Sequence, residues 1–171
     1  MVENKNPENI LILDTTKGRV VIELFAGLAP GHVTRIKELV REGAYDNVIF
    51  HRVIDGFMAQ TGDVQFGKKD GEKFNLSRAG MGGSEKPDLA AEFSNLSHKR
   101  GTVSMARSQN PNSANSQFFI CFADAPWLDR QYSIWGKVVE GMENVDKIKR
   151  GEPVVDDPDT ITKAVIAADA E

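Results

Sequence analysis

Cysteine is nearly absent from this chain: Cys121 is the single one in 171 residues. An internal disulfide and a cysteine-rich zinc site are thereby excluded, and one thiol fits a reducing compartment. Histidine is scarce as well. His32, His51 and His98 are the only three, none at ligand spacing with cysteine or carboxylates, so no metal site is expected. No apolar run approaches the roughly 18 residues of a membrane-spanning helix. The opening MVENKNPENI has no apolar stretch of the kind a secretory signal carries. The expectation is a cytoplasmic protein without a membrane partner. Basic charge is not in excess: 21 Lys and Arg face 25 Asp and Glu, a net charge of −4, and the cations are scattered. A nucleic-acid surface needs them clustered, so none is expected. Linkers, internal repeats and low-complexity blocks are missing too, which leaves one domain over residues 1–171.

What the chain does have is a 40% hydrophobic content, ordinary for a globular protein, laid out mostly with period two. ILILDTTKGRVVIELF (10–25) reads as a hairpin turning at Thr16-Lys17-Gly18. The period then switches: Val33, Ile36, Leu39 and Val40 share a helical face, with Pro30 suited to its start and Gly43 to its stop. Further strands are expected near 48–54 and 57–61, in GTVSMAR (101–107), SQFFICFA (116–123), YSIWGKVVEG (132–141) and ITKAVIAA (161–168). MENVDKIKR (142–150) reads as a short helix ending at Gly151. Residues 63–100 are rich in Gly, Lys, Glu and Ser and read as one long loop, a length more often functional than not. Many short antiparallel strands with two helices fit a closed barrel better than a βαβ layout.

Two motifs are set aside. GMGGSEK (80–86) superficially resembles phosphate-binding glycines, but it neither follows a strand closely nor opens a helix. DDPDT (156–160) matches no complete Ca²⁺ loop and reads as a charged turn. FHRVIDGFMAQTGD (50–63) is harder to dismiss, because it sets Arg52 among Phe50, Phe57 and Met58 with no nucleophile at hand.

YDNVIFHRVIDGFMAQTGD (45–63), GTVSMAR (101–107), NSQFFIC (115–121) and WLDRQYSIWGKVVEGMENVDKI (127–148) together resemble the cyclophilins, cyclosporin-binding peptidyl-prolyl cis–trans isomerases. The runs stand in the family's order, and the resemblance covers nearly the whole chain apart from part of the 64–90 loop. It implies a mainly β protein: a closed eight-stranded antiparallel β-barrel capped by two α-helices, with the active site on its outside. It also implies catalytic roles for Arg52, Gln60, Phe119 and Tyr132, and substrate binding by Phe57, Met58, Ala106, Arg107, Gln117, Trp127 and Leu128. Within that set Arg52 is the catalytic arginine, and Phe57, Met58, Phe119 and Leu128 form the pocket for the proline ring. Gln60 and the backbone of Arg107 bond the peptide, while Ala106, Gln117 and Trp127 line the groove. The implied partners are proline-containing peptides and unfolded or flexible protein clients, with cyclosporin A as inhibitor, no cofactor, and a monomeric protein. A module that binds proline loops, as a chaperone or client regulator, would use the same groove without needing Arg52.

The chemistry explains why such a site has no nucleophile. Turning a peptide bond costs about 18–20 kcal/mol because the C–N bond is partly double, and unaided X–Pro isomerisation takes tens to hundreds of seconds. Reaching milliseconds means removing roughly 7 kcal/mol without making or breaking a covalent bond. In the twisted transition state the prolyl nitrogen is pyramidal and more basic, so a donor aimed at it binds that state preferentially. A guanidinium is always charged and carries a planar fork of donors. In a water-excluding site one such donor is worth ~3 kcal/mol or more.

Read without the resemblance, Phe57, Met58, Phe119 and Leu128 are ordinary core, and Arg52 is an exposed arginine or one salt-bridged to Asp63. Alternation puts Met58 with Gln60 on one face and Gln117 with Phe119 on another. It also puts Phe57 opposite Met58 unless the chain turns at Gly56, and places Phe50 on the face of Arg52. Tyr132 stands where many family members have histidine, and Arg107 where asparagine is common. Residues 64–83 form an extended surface loop, longer than the family's usual one by roughly a dozen residues. The loop is either a tolerated insertion or a flap that uses Lys68, Lys69, Lys73 and Arg78.

Overall fold

A computed structural model describes residues 6–170; part of the polar N-terminal segment therefore lies outside it. Nine strands form one antiparallel sheet: β1 (Ile10–Thr15), β2 (Gly18–Leu24), β3 (Val48–Ile49), β4 (Arg52–Ile54), β5 (Met58–Thr61), β6 (Thr102–Met105), β7 (Phe118–Cys121), β8 (Ile134–Glu140) and β9 (Thr160–Ile166). Their order is β3-β9-β1-β2-β8-β6-β7-β5-β4. The two outermost strands, β3 and β4, are consecutive in the chain and separated only by Phe50 and His51. They are one segment broken in the middle, which accounts for nine strands where eight were expected. That segment joins the two sheet edges, so the sheet closes into a barrel. Cross-links at the seam keep it shut: Thr61 donates its hydroxyl to the Ile49 carbonyl (2.7 Å) and the Phe50 N–H bonds the Asp159 carbonyl (2.8 Å).

The break also corrects an expectation. Strict alternation places Phe50 and Arg52 on one face, but the chain leaves strand geometry between them. Phe50 turns into the barrel interior while Arg52 is exposed. The hairpin forms as expected, with Thr15 opposite Gly18, whose φ of +127° suits glycine. Helix α1 (Pro30–Arg41) packs Val33, Ile36, Leu39 and Val40 into the interior. Helix α2 is shorter than its sequence suggests, Met142–Val145 rather than 142–150; the chain continues in turns and still buries Ile148. Inside the barrel, Phe118 meets Trp135 and Tyr45 edge-on, with centroids 5.3 and 5.5 Å apart.

Residues 64–100 contain no strand and one short 3₁₀ turn (Leu76–Arg78), yet they are firmly tied. Asp63 is fully buried and accepts four backbone N–H bonds, from Gln65, Phe66, Gly80 and Gly82, at 2.7–3.0 Å. One carboxylate therefore gathers both ends of the 64–83 loop. A side chain at Gly82 would collide with that carboxylate, its Cβ lying 2.6 Å from Oδ1. Of the four cations suggested for a flap, Lys68 instead bonds the carbonyls of Gly43 and Asp46 behind α1, and Arg78 stacks on Phe66 at 4.4 Å. Asp63→Ala leaves four donors, one buried and three partly buried, without their acceptor, and chemical denaturation should show a loss of about 3 kcal/mol. Asp63→Asn, which keeps one acceptor oxygen, should lose less.

Candidate active site

The pleat of β5 and β7 sorts side chains between two apolar clusters. Ala59, Phe118 and Ile120 point into the barrel, while Met58, Phe119 and Cys121 point outward. The strands pair Met58 with Cys121 and Gln60 with Phe119. On the outer face Ala125 and Leu128 complete the cluster, with Ile54, Phe57, Ala106 and Tyr132 at its edge. Phe57 reaches this face because Gly56 takes a φ of +76° in the turn before β5. The turn cancels the parity that would set Phe57 opposite Met58.

The outer cluster floors a hollow of about 240 Å³ lined by Arg52, Phe57, Met58, Gln60, Ala106, Arg107, Phe119, Leu128 and Tyr132. Arg52 faces Gln60 across β4 and β5. Its Nη2 lies 3.3 Å from Glu152 Oε2 in an exposed ion pair, so its partner is not the buried Asp63. Phe119 is held between rings: His98 stacks on it at 6.2 Å and Tyr132 meets it edge-on at 5.7 Å. His98 is fixed in turn by Asp129 and Ser104, at 3.1 and 3.0 Å. Beneath them burial pushes the Cys121 thiol up to about 12, so it stays protonated and unreactive.

Two residues expected in the site lie outside this hollow. Trp127 is 64% exposed and stands beside it, its ring 5.6 Å from that of Phe57. Gln117 lines a second hollow of about 230 Å³, which shares Gln60, Ala106 and Arg107 with the first. Gln60 donates to Gln117 (3.0 Å), and Gln117 donates to the carbonyls of Gly80 and Gly82 (2.9 and 2.8 Å). The far end of the long loop is thereby a wall of the site. The Arg107 side chain is turned back: it donates to the Gln131 carbonyl and lies 4.6 Å over the Tyr132 ring. Its guanidinium braces its own rim. Among the described residues no group of His, Cys, Asp and Glu could hold a metal ion.

The family model for cyclophilin type peptidyl-prolyl cis–trans isomerases matches residues 10–168. The chain belongs to that family. A probable peptidyl-prolyl cis–trans isomerase of Brucella suis is 59% identical over 170 residues, covering 97% of this chain and 86% of the relative. Cyclophilin AquaCyp293 of Hirschia baltica superposes with a TM-score of 0.83 at 30% identity, over 97% of this chain and 76% of that one. A Cryptosporidium parvum cyclophilin solved in the presence of the dipeptide Ala-Pro gives 0.78 at 30% identity, covering 92% of this chain and 98% of that one. The protein is thus a cyclophilin, and it accelerates rotation about X–Pro bonds in protein substrates.

Several residues that shape this cyclophilin's groove carry no local sequence signal. Glu152 comes from a turn about a hundred positions beyond Arg52, and Gly80 and Gly82 from an aperiodic loop. His51 is 4% exposed, and a side chain at Gly80 would strike its ring, at 2.9 Å from Cδ2. Burial lowers the His51 pKa to about 4. The unfolded imidazole takes up a proton near 6.5, whereas the folded one resists until about 4. Stability is therefore complete above pH ~6.5 and declines as pH falls towards 4, by a total on the order of 3 kcal/mol from this residue. Denaturation midpoints across that window should flatten in His51→Gln. The share from His98, also lowered by burial, should remain.

Proposed function

We propose that the rotation takes place in the 240 Å³ hollow, with the proline ring against Phe57, Met58, Phe119 and Leu128 and with Arg52 donating to the prolyl nitrogen. The observation that carries this reading is the pairing of one partly exposed guanidinium with an apolar floor across a single strand pair. A planar imide nitrogen is a poor acceptor, and the twisted one is a good acceptor. The donor therefore favours the transition state over both ground states. Gln60 and the Arg107 backbone hold the peptide on either side, and Tyr132 keeps a ring and a hydrogen-bonding tip at the rim. Nothing covalent is made or broken, so the chain's own side chains suffice.

The second hollow, entered past Gln60 and Gln117, takes the residues preceding the proline. Trp127, exposed beside Phe57, supplies an aromatic lip for cyclosporin A. The lone buried thiol fits a cytoplasmic setting, and a groove assembled from one chain's residues fits a monomer acting on flexible, proline-containing clients.

Arg52→Ala should lower kcat/KM in a coupled proline-peptide assay by about 100-fold while circular dichroism stays unchanged; unaltered turnover would refute the assignment. Cyclosporin A should inhibit the wild type, and Trp127→Ala should weaken that inhibition about tenfold. Replacing residues 70–77 by a short glycine linker should leave turnover within about twofold, because the loop's ties to the groove lie at Asp63, Gly80 and Gly82. A larger loss would mean that the loop tip itself meets the substrate.

A further inference from the structure

We propose that Glu152 is a positioning residue for Arg52, an inference that rests on Arg52 being the donor to the prolyl nitrogen. A misplacement of the order of 1 Å is costly in a catalytic group, and a long, partly exposed arginine does not hold its place unaided. Gln60, its cross-strand neighbour, makes no hydrogen bond to the guanidinium among the described residues; its amide nitrogen donates to Gln117 instead. Among the described residues the Arg52 guanidinium has one hydrogen-bonded side-chain partner, Glu152, at 3.3 Å. The two carboxylates of the 50–63 stretch that carries Arg52 are engaged elsewhere: Asp63 with four backbone N–H groups, and Asp55 with Arg150 at 3.0 Å.

The backbone around Glu152 is fixed rather than loose. Gly151 and Val53 exchange both backbone bonds at 2.8 Å, and the Val154 N–H bonds the His51 carbonyl at 2.9 Å. The segment carrying Glu152 is therefore laid along β4, pinned on both sides of the residue that reaches Arg52. Val154, 2% exposed, anchors its far side in the core. Between them opens a third hollow of about 350 Å³, lined by Arg52, Gln60, Met81, Glu152 and Pro153 among others. Arg52 also lines the proline hollow, so it stands as the partition between the two. The contact to Glu152 uses only Nη2, which leaves Nε and Nη1 for the substrate. An exposed pair of this kind adds little to stability, so its effect should appear in turnover instead.

The test is kinetic. E152A should lower kcat about fivefold with KM nearly unchanged, E152Q should recover part of the loss, and E152K should be the slowest. Melting temperatures should match the wild type throughout. Added salt should slow the wild type towards E152A and leave E152A unaffected. In the R52A background, E152A should cost nothing further. The proposal is overturned if E152A matches the wild type, or if it costs as much in R52A as in the intact enzyme. R52A alone separates the two readings. Normal turnover there removes both; a collapse there beside a wild-type E152A removes only the role of Glu152.

Discussion

The alternation of side chains along β5 and β7 is the constraint on which this protein depends. It sends Ala59, Phe118 and Ile120 to a closed interior and Met58, Phe119 and Cys121 to an outer patch. A register slip of one residue would exchange the two sets. Gln60 and Gln117 would be driven into the barrel, and Phe118 would leave its contacts with Tyr45 and Trp135. The packing that stabilises the barrel thus also fixes the groove, and a stable fold and a formed site are one condition. That coupling explains how a shallow external groove keeps its geometry: its floor is the back of the core.

The groove's other wall depends on a polar network rather than on packing. Asp63 holds the N–H groups of Gly80 and Gly82, and Gln117 holds their carbonyls. Gln60 joins that network from β5. The long loop is therefore attached to the site at its end, while near its start Lys68 bonds the carbonyls of Gly43 and Asp46, in the turn that follows α1. Length could be added to its middle without disturbing the attachment, which is how an extended loop can coexist with an intact groove.

Legibility in the sequence followed the range of the interactions involved. Met58, Gln60 and Phe119 lie on regular strands, where period two announces the face. Phe57 needed the left-handed Gly56, and Phe50 needed the break at the barrel seam; both are local departures that a period cannot show. The antiparallel barrel was readable because each hairpin and the helix α1 carry their own turn and end signals, whereas α2 stopped early where turns could bury Ile148 as well as a helix would. Family resemblance, rather than spacing, supplied the role of every site residue, Arg52, Gln60, Phe119 and Tyr132 included; alternation told only which face some of them share. Glu152, His51, His98 and the glycines at 80 and 82 were not readable as site residues. Tertiary contacts place Glu152 and the two glycines at the groove, and no local pattern encodes a contact such as that of Glu152 with Arg52 across a hundred residues.

The two tryptophans occupy opposite extremes. Trp135 is sealed against Phe118 inside the barrel, and Trp127 stands largely in solvent against Phe57. A soluble quencher reaches one indole and not the other. The molecule therefore carries two built-in fluorophores, one reporting occupancy beside the groove and the other the integrity of the barrel, without any label being attached.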